Sequence, residues 1–252
     1  MENKRIGILG AMPEEINGII SLLNNKQEIV KGMRTYYIGT INDVDVVVVF
    51  SRWGKVASAT TVTHLIVEFG ITQLYFTGVA GAINQELNIG DIVVANSLVQ
   101  HDMDARPMMG QFEISLLGKT ILYPPIELFN QAYIRIKELE SSKGLLGEID
   151  IEHRKMFSIS NPKVVVGQIA SGDKFFSNSK DKELLMKALP DVLCVEMEGA
   201  AVAQVCFEYG IPFVVIRTIS DAANETSPID FKEFVDQVAS KYGIEIIRKL
   251  VR

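Results

Sequence analysis

From Arg5 to the C-terminus, short runs of apolar and β-branched residues alternate with longer stretches in which apolar positions return every three or four residues. The first pattern suits strands and the second suits amphipathic helices. The run Val46-Val47-Val48-Val49-Phe50 carries no polar alternation, as expected of a strand covered on both faces. Strands are predicted over Arg5 to Leu9, Val44 to Phe50, Gln73 to Thr77, Asp91 to Leu98, Val164 to Ala170, Val192 to Val195 and Phe213 to Thr218. Helices are predicted over Pro13 to Asn24, Val56 to Phe69, Glu127 to Glu140, Lys180 to Leu189 and Gly199 to Tyr209. Pro13 suits a first helical turn, while Gly70, Pro190 and Gly210 act as stops. Such alternation predicts an α/β fold with helices covering a largely parallel sheet.

A last helix is marked by Phe231, Phe234, Val235, Val238, Tyr242, Ile246 and Leu250, with Asp230 as its N-cap and the apolar stripe packed on the sheet. Gln100 to Pro125 is weakly periodic and reads as an irregular excursion. No repeat or linker divides the chain, so residues 1–252 are expected to form a single domain. Apolar residues make up 48% and charged residues 22%, which excludes a disordered or low-complexity chain. A formal charge of -6 without any dense basic run argues against nucleic-acid and membrane-surface partners, leaving a small molecule. Cys194 and Cys206 are isolated in apolar stretches, suggesting buried free thiols in a reducing compartment. The N-terminal apolar stretch, Ile6 to Met12, is too short for a secretory signal, and no run approaches the ~20 apolar residues of a membrane span. A soluble cytoplasmic protein is expected.

Ligands of open α/β sheets bind beyond the carboxyl ends of strands, so the residues that follow each apolar run carry the functional information. They are Gly10-Ala11-Met12-Pro13-Glu14-Glu15, Ser51-Arg52-Trp53-Gly54, Thr77-Gly78-Val79-Ala80-Gly81, Ser171-Gly172-Asp173-Lys174-Phe175-Phe176, Glu196-Met197-Glu198-Gly199 and Ser220-Asp221. Small residues admit close backbone approach, carboxylates offer proton chemistry, and aromatic rings offer a stacking partner. Together they suit a heterocycle joined to a group rich in hydroxyls.

Other motifs are weak. Gly78-Val79-Ala80-Gly81 lacks the spacing of a dinucleotide fingerprint, and Gly54-Lys55-Val56 lacks the rest of a phosphate loop. Glu196 and Glu198 also fit a helix N-terminus on dipole grounds alone, and Asp221 fits the cap of a following turn. His101-Asp102-Met103-Asp104 has ligand-type residues, but on a loop these read as solvated rather than as a metal site. His64, inside an amphipathic helix, reads as structural.

Taken in order, Gly7-Ile8-Leu9-Gly10-Ala11-Met12-Pro13-Glu14-Glu15, Thr77 to Gly81, Gly90-Asp91-Ile92-Val93-Val94, Ser171-Gly172-Asp173, Val195-Glu196-Met197-Glu198-Gly199-Ala200-Ala201 and Arg217-Thr218-Ile219-Ser220-Asp221 resemble the nucleoside phosphorylase and nucleosidase superfamily. Within it, the nucleosidases of 5'-methylthioadenosine and S-adenosylhomocysteine look most similar. The resemblance spans residues 5 to 238. It implies a three-layer α/β/α fold with a mixed, partly barrelled central sheet, an obligate homodimer, no metal and no cofactor, and cleavage of an adenine N-glycosidic bond by water. By motif, Glu15 would activate the water, Asp221 would protonate the purine N7, and Glu198 would hold the ribose hydroxyls. Met197 would lie under the sugar, Phe175 would stack on the base, and the backbone at Phe176 would read the purine edge. Ala80 and Gly81 would line the sugar side, with Glu196, Arg217 and Ser220 in support.

That chemistry parallels glycoside hydrolysis, in which one acid protonates the leaving group while a carboxylate handles water. It leads to the expectation that Asp221 carries a proton while Glu15 and Glu198 stay ionised. A phosphorylase remains an alternative, as does a hydrolase of another 5'-modified nucleoside such as aminodeoxyfutalosine, and a nucleoside-binding sensor is the alternative outside catalysis. Phe76 stands where bacterial purine nucleoside phosphorylases of this superfamily carry an arginine, and Glu14-Glu15 is an acidic pair they lack; both differences favour water. Arg52, Trp53 and Val79 depart from the nucleosidase pattern at positions near the sugar, and Ser51 precedes them. Trp53 would add bulk beside the ribose or pack on the dimer, and Arg52 would touch ligand or pair with a local carboxylate. The excursion from Asp102 to Phe112, soft and apolar with Met108 near its centre, is expected to cross the dimer interface and cap the neighbour's ligand.

Overall fold

The computed structural model describes residues 4–141, 144–224 and 231–252. In chain order the elements are β1 (Arg5–Gly10), α1 (Pro13–Ile20), β2 (Asn24–Lys31), β3 (Arg34–Ile41), β4 (Val44–Phe50), α2 (Lys55–Val67), β5 (Gln73–Ala82), β6 (Ile92–Gln100), β7 (Ile121–Leu122), α3 (Ile126–Ser141), α4 (Gly144–Gly147), α5 (Ile151–Met156), β8 (Val164–Ser171), α6 (Ser179–Ala188), β9 (Val192–Glu196), α7 (Gly199–Tyr209) and β10 (Phe213–Asp221). A final helical segment follows, with α8 (Phe231–Phe234), a π-helical turn over Val235–Ala239 and α9 (Ser240–Leu250).

The ten strands among the described residues form one mixed sheet. Strands β10, β6, β8, β9 and β5 follow one another, and a further β5–β10 pairing closes them into a barrel. From β5 the sheet continues outward through β1, β4, β3 and β2 as an open wing. The expected three-layer arrangement is present. Val46 and Val48 face a core shared with α1, α3 and α9, while Val47 and Val49 face a core shared with α2 and α7. Both faces of β4 are covered, which is why its sequence shows no alternation.

Several elements differ from the sequence reading, most of them by one to three residues at an end, and β7, α4 and α5 were not foreseen. The first helix stops at Ile20 rather than Asn24, because the chain turns there into β2. Strands β2 and β3 were not foreseen: β2 is polar and mostly exposed, so it lacks a buried-strand pattern. Tight turns at Gly32-Met33 and Asn42-Asp43, with positive φ throughout, join β2 to β3 and β3 to β4. Finally, β5 runs past Gly78 and Gly81 to Ala82, because pairing with β10 and β9 carries it through glycines that alone read as a stop. The proposed cap Asp230 lies outside the described residues.

Cys194 and Cys206 are both buried and unbonded to each other, and burial pushes both thiols up. His64 is structural: its ring meets the hydroxyl of Tyr36 at 3.0 Å. Among the described residues, no helix is long and apolar enough to cross a membrane.

Ile246 is fully buried where α9 packs on α1 and the sheet. Ile246→Ala is expected to lower the denaturant midpoint by the equivalent of about 2–5 kcal/mol, because the vacated volume closes only partly. Equilibrium unfolding in urea with an unchanged slope would register this.

Candidate active site

The carboxyl ends of β1, β5, β9 and β10 open onto a cavity of about 340 Å³. Its wall includes Glu15, Val79, Ala80, Gly81, Phe175, Glu196, Met197, Glu198, Arg217, Ser220 and Asp221, so residues separated by two hundred positions meet in one hollow.

Glu15 reaches the cavity because it sits in the first turn of α1, where its carboxylate bonds backward to the chain entering the helix. Its Oε2 accepts from the N–H of Ala11 at 2.5 Å and of Met12 at 3.1 Å, and Oε1 accepts from the N–H of Val79 at 3.1 Å. Gly78 makes this approach possible, since a Cβ there would stand 2.8 Å from Oε1. Burial raises the carboxyl above the usual range, against the opposing pull of Arg217 and the three N–H groups.

Across the cavity, Glu196 and Arg217 form a buried pair between β9 and β10. Glu196 Oε2 accepts from Arg217 Nη2 at 2.6 Å and from Nε at 3.2 Å. The guanidinium lies 3.9 Å from the centre of the Phe76 ring, so Phe76, where an arginine would mark a phosphate site, instead carries this cation. Glu196 also accepts from the Ser171 hydroxyl and from the N–H groups of Glu198 and Gly199. Thus Glu196 takes the helix-terminal role that could equally have belonged to Glu198.

Glu198 is free to turn elsewhere. Its Oε1 accepts from the N–H of Gly54 at 2.8 Å, at the start of α2, while the residue also lines the cavity. Burial and the adjacent Glu196 charge push its carboxyl up to about 8, opposed by Arg217 and the Gly54 N–H. Burial thus works against the ionised state expected of Glu15 and Glu198, and Arg217, which faces Glu15, Glu196 and Glu198 together, works for it. Asp221 is held at the end of β10, where Oδ2 accepts from the Ser220 hydroxyl at 2.7 Å and Oδ1 from the N–H of Ala223 at 2.8 Å. It both caps the turn and lines the cavity.

Not every sequence candidate meets that wall. Phe176 is buried behind it, edge-on to His101 and facing a smaller adjoining space shared with Phe175 and Asp221. Ser51 is buried away from the cavity, its hydroxyl donating to the Arg52 carbonyl. Met108 is 84% exposed and outside this chain's own cavity. Arg52 donates to the Met33 carbonyl at 2.6 Å rather than pairing with a carboxylate, and Trp53 borders the cavity at its mouth. Asp102 is engaged by Lys55, and Asp104 by Arg106. Among the described residues, no three His, Cys, Asp or Glu side chains converge as metal ligands.

Ala11, Met12 and Val195 belong to the stretches singled out in the sequence but were given no role there, and Phe231 was missed in the wall. Phe231 had been assigned to the sheet-packing stripe, but it starts α8 and meets Phe175 edge-on at 6.0 Å over the cavity. The available signal was its position at the very start of the helical pattern.

The chain matches the model of the Phosphorylase superfamily over residues 5–252. It is 33% identical over 235 residues to the 5'-methylthioadenosine/S-adenosylhomocysteine nucleosidase of Staphylococcus epidermidis, covering 93% of each chain. It is 35% identical over 237 residues to the aminodeoxyfutalosine nucleosidase of Helicobacter pylori, covering 94% of this chain and 93% of that one. Its fold superposes with a TM-score of 0.83 and 31% identity on the Streptococcus pneumoniae MTA/SAH nucleosidase in complex with 8-aminoadenine, over 98% of both chains.

The raised carboxyl of Glu198 has a consequence for stability. The unfolded chain releases this proton near the ordinary value of 4.5 and the folded chain near 8, so its contribution is fully present below 4.5 and is lost as pH rises through 8. Glu198→Gln should therefore gain thermal stability relative to the parent between pH 5 and pH 8. Paired melting curves at the two pH values measure it, and a pH-independent difference contradicts the assignment.

Proposed function

This chain belongs to the phosphorylase superfamily, and from that premise we propose that it is a hydrolytic nucleosidase that releases adenine from 5'-methylthioadenosine and S-adenosylhomocysteine. The observation that carries the proposal is the convergence of Glu15, Glu198 and Asp221 on one cavity. In this reading the base lies between Phe175 and Asp221, and the sugar lies over Met197 and against Glu198.

Cleavage of the N-glycosidic bond leaves positive charge on the sugar and negative charge on the departing base. Asp221 donates its proton to the purine N7, so adenine leaves as a neutral molecule with the bonding electrons. Water adds to the sugar carbon from the opposite side, and Glu15 takes the proton that this water loses. The raised affinity of Glu15 for protons suits a base that must hold one at the end of the step. Glu198 accepts hydrogen bonds from the ribose hydroxyls. The buried carboxylates outnumber Arg217, which favours the cationic sugar at the transition state.

Water rather than phosphate is supported by the residues present. Phosphate needs converging Arg and backbone donors. Arg217, the arginine in the wall, is already bound to Glu196. A second reading, hydrolysis of aminodeoxyfutalosine by the same residues, is favoured by the 35% identity to the Helicobacter pylori relative. A homodimer in the cytoplasm completes the proposal, with the exposed apolar residues Val56 and Met108 covered by a second copy and Met108 reaching the partner's cavity.

Adenine release from methylthioadenosine, followed with and without phosphate, tests the reading. Phosphate-independent turnover yielding free methylthioribose is expected. Sugar-1-phosphate formation would make the protein a phosphorylase, and tight binding without turnover would make it a sensor. Asp221→Asn is expected to lower kcat by about 10² to 10⁴ or more. A near-normal kcat in that variant would remove Asp221 from the acid role.

A further inference from the structure

A second cavity, of about 620 Å³, adjoins the first. The two share Ala11, Met12, Trp53 and Phe231 as a common wall. With the base and sugar placed in the first cavity as proposed above, a sugar substituent that outgrows that cavity extends across this wall into the second space, and the 5' substituent is the part that differs among the substrates named there. The inference therefore rests on that reading and deepens it.

The chemistry of the second cavity is divided. Phe50, Trp53, Phe231 and Val235 make an apolar side, whereas Arg52, Lys232 and Glu14 supply charge. Arg52 uses one of its five donors on the Met33 carbonyl and forms no ion pair among the described residues. Lys232 has no ion pair among them either. Arg34 lies close enough for its charge to oppose that of Arg52, which, after burial and against Tyr36, lowers the Arg34 affinity for a proton. Arg52 also holds a left-handed backbone, φ 74°, a conformation that favours glycine. A side chain of this length kept at such a position, beside a second cation and an aromatic wall, is suited to recognising an anion at the end of a partly apolar arm.

We propose that Arg52 and Lys232 are specificity-determining residues that bind a carboxylate at the far end of an extended 5' substituent, with Trp53 and Phe231 packing on the arm between sugar and carboxylate. Two sources share that chemistry. One is an aliphatic amino-acid arm, as in adenosylhomocysteine, whose ammonium would meet Glu14. The other is an aromatic acid, as in aminodeoxyfutalosine, whose ring would lie on Trp53.

The test compares steady-state kinetics on methylthioadenosine, adenosylhomocysteine and aminodeoxyfutalosine for the full-length enzyme and for the Arg52→Met/Lys232→Met double variant. The double variant should raise KM for the two carboxylate-bearing substrates by about tenfold more than for methylthioadenosine, with kcat moving little, because charge-assisted bonds to the arm are made equally in the ground and transition states. In the parent enzyme, raising ionic strength from about 20 to about 300 mM should weaken the same two substrates more than methylthioadenosine, and the double variant should lose that difference. Arg52→Lys should restore part of the discrimination. Glu14→Gln penalising adenosylhomocysteine most identifies the amino-acid arm, and Trp53→Ala penalising aminodeoxyfutalosine most identifies the aromatic one. Parallel changes on all three substrates, or equal salt dependence for all three, overturn the proposal. Absence of adenine release from every substrate by the parent enzyme would instead overturn the nucleosidase reading beneath it.

Discussion

The buried pair between Glu196 and Arg217 is the interaction on which the site depends. Each charge is almost wholly removed from water, with side-chain exposures of 3% and 1%. Removing one partner from such a pair leaves the other uncompensated, at a loss of about 3–5 kcal/mol. The pair is supported on all sides: two guanidinium nitrogens on one carboxylate oxygen, a third donating to the Ile216 carbonyl, a serine hydroxyl and two helix-terminal N–H groups on the carboxylate, and an aromatic ring beneath the cation. It joins the end of β9 to β10, the two strands that also deliver Glu198 and Asp221. Glu196 satisfies the start of α7, leaving Glu198 to point across to Gly54 and into the cavity.

The closed part of the sheet serves the same end. Parallel pairing of β10 with β5 sets Asp221 beside Gly81, and antiparallel pairing of β5 with β9 sets Gly81 beside Val195. Glycine at positions 78 and 81 lets the carboxyl groups of Glu15 and Asp221 come within about 3 Å of where a Cβ would stand. The carboxyl groups of Glu15, Glu196 and Glu198 are thereby gathered, all buried, around Arg217.

Much of this was readable along the chain. The run Val46 to Phe50 announced a strand buried on both faces, and the small, acidic and aromatic residues after each apolar run marked one end of the sheet as the functional end. The hairpin β2–β3 was not readable, because an exposed polar strand carries no periodic signature. Nor was the inward course of Phe231, whose residue type fits a core stripe equally well. The separate fates of Glu196 and Glu198 could not be told from their spacing: residues two apart on a strand share a face, but β9 ends at Glu196 and the chain turns into α7 at Glu198, so which one meets Arg217 is set by the turn and by the neighbouring strand.

Sequence alone determined the alternation of strands and helices, the ligand-binding end of the sheet and the residue types gathered there, because each of these is a local property of side-chain polarity and backbone freedom. Tertiary structure alone decided that the sheet closes through β5 and β10, which carboxylate is spent on the buried arginine, and that burial raises Glu15 and Glu198. Those outcomes depend on strands distant in sequence and on the exclusion of water, and both arise only when the chain is packed.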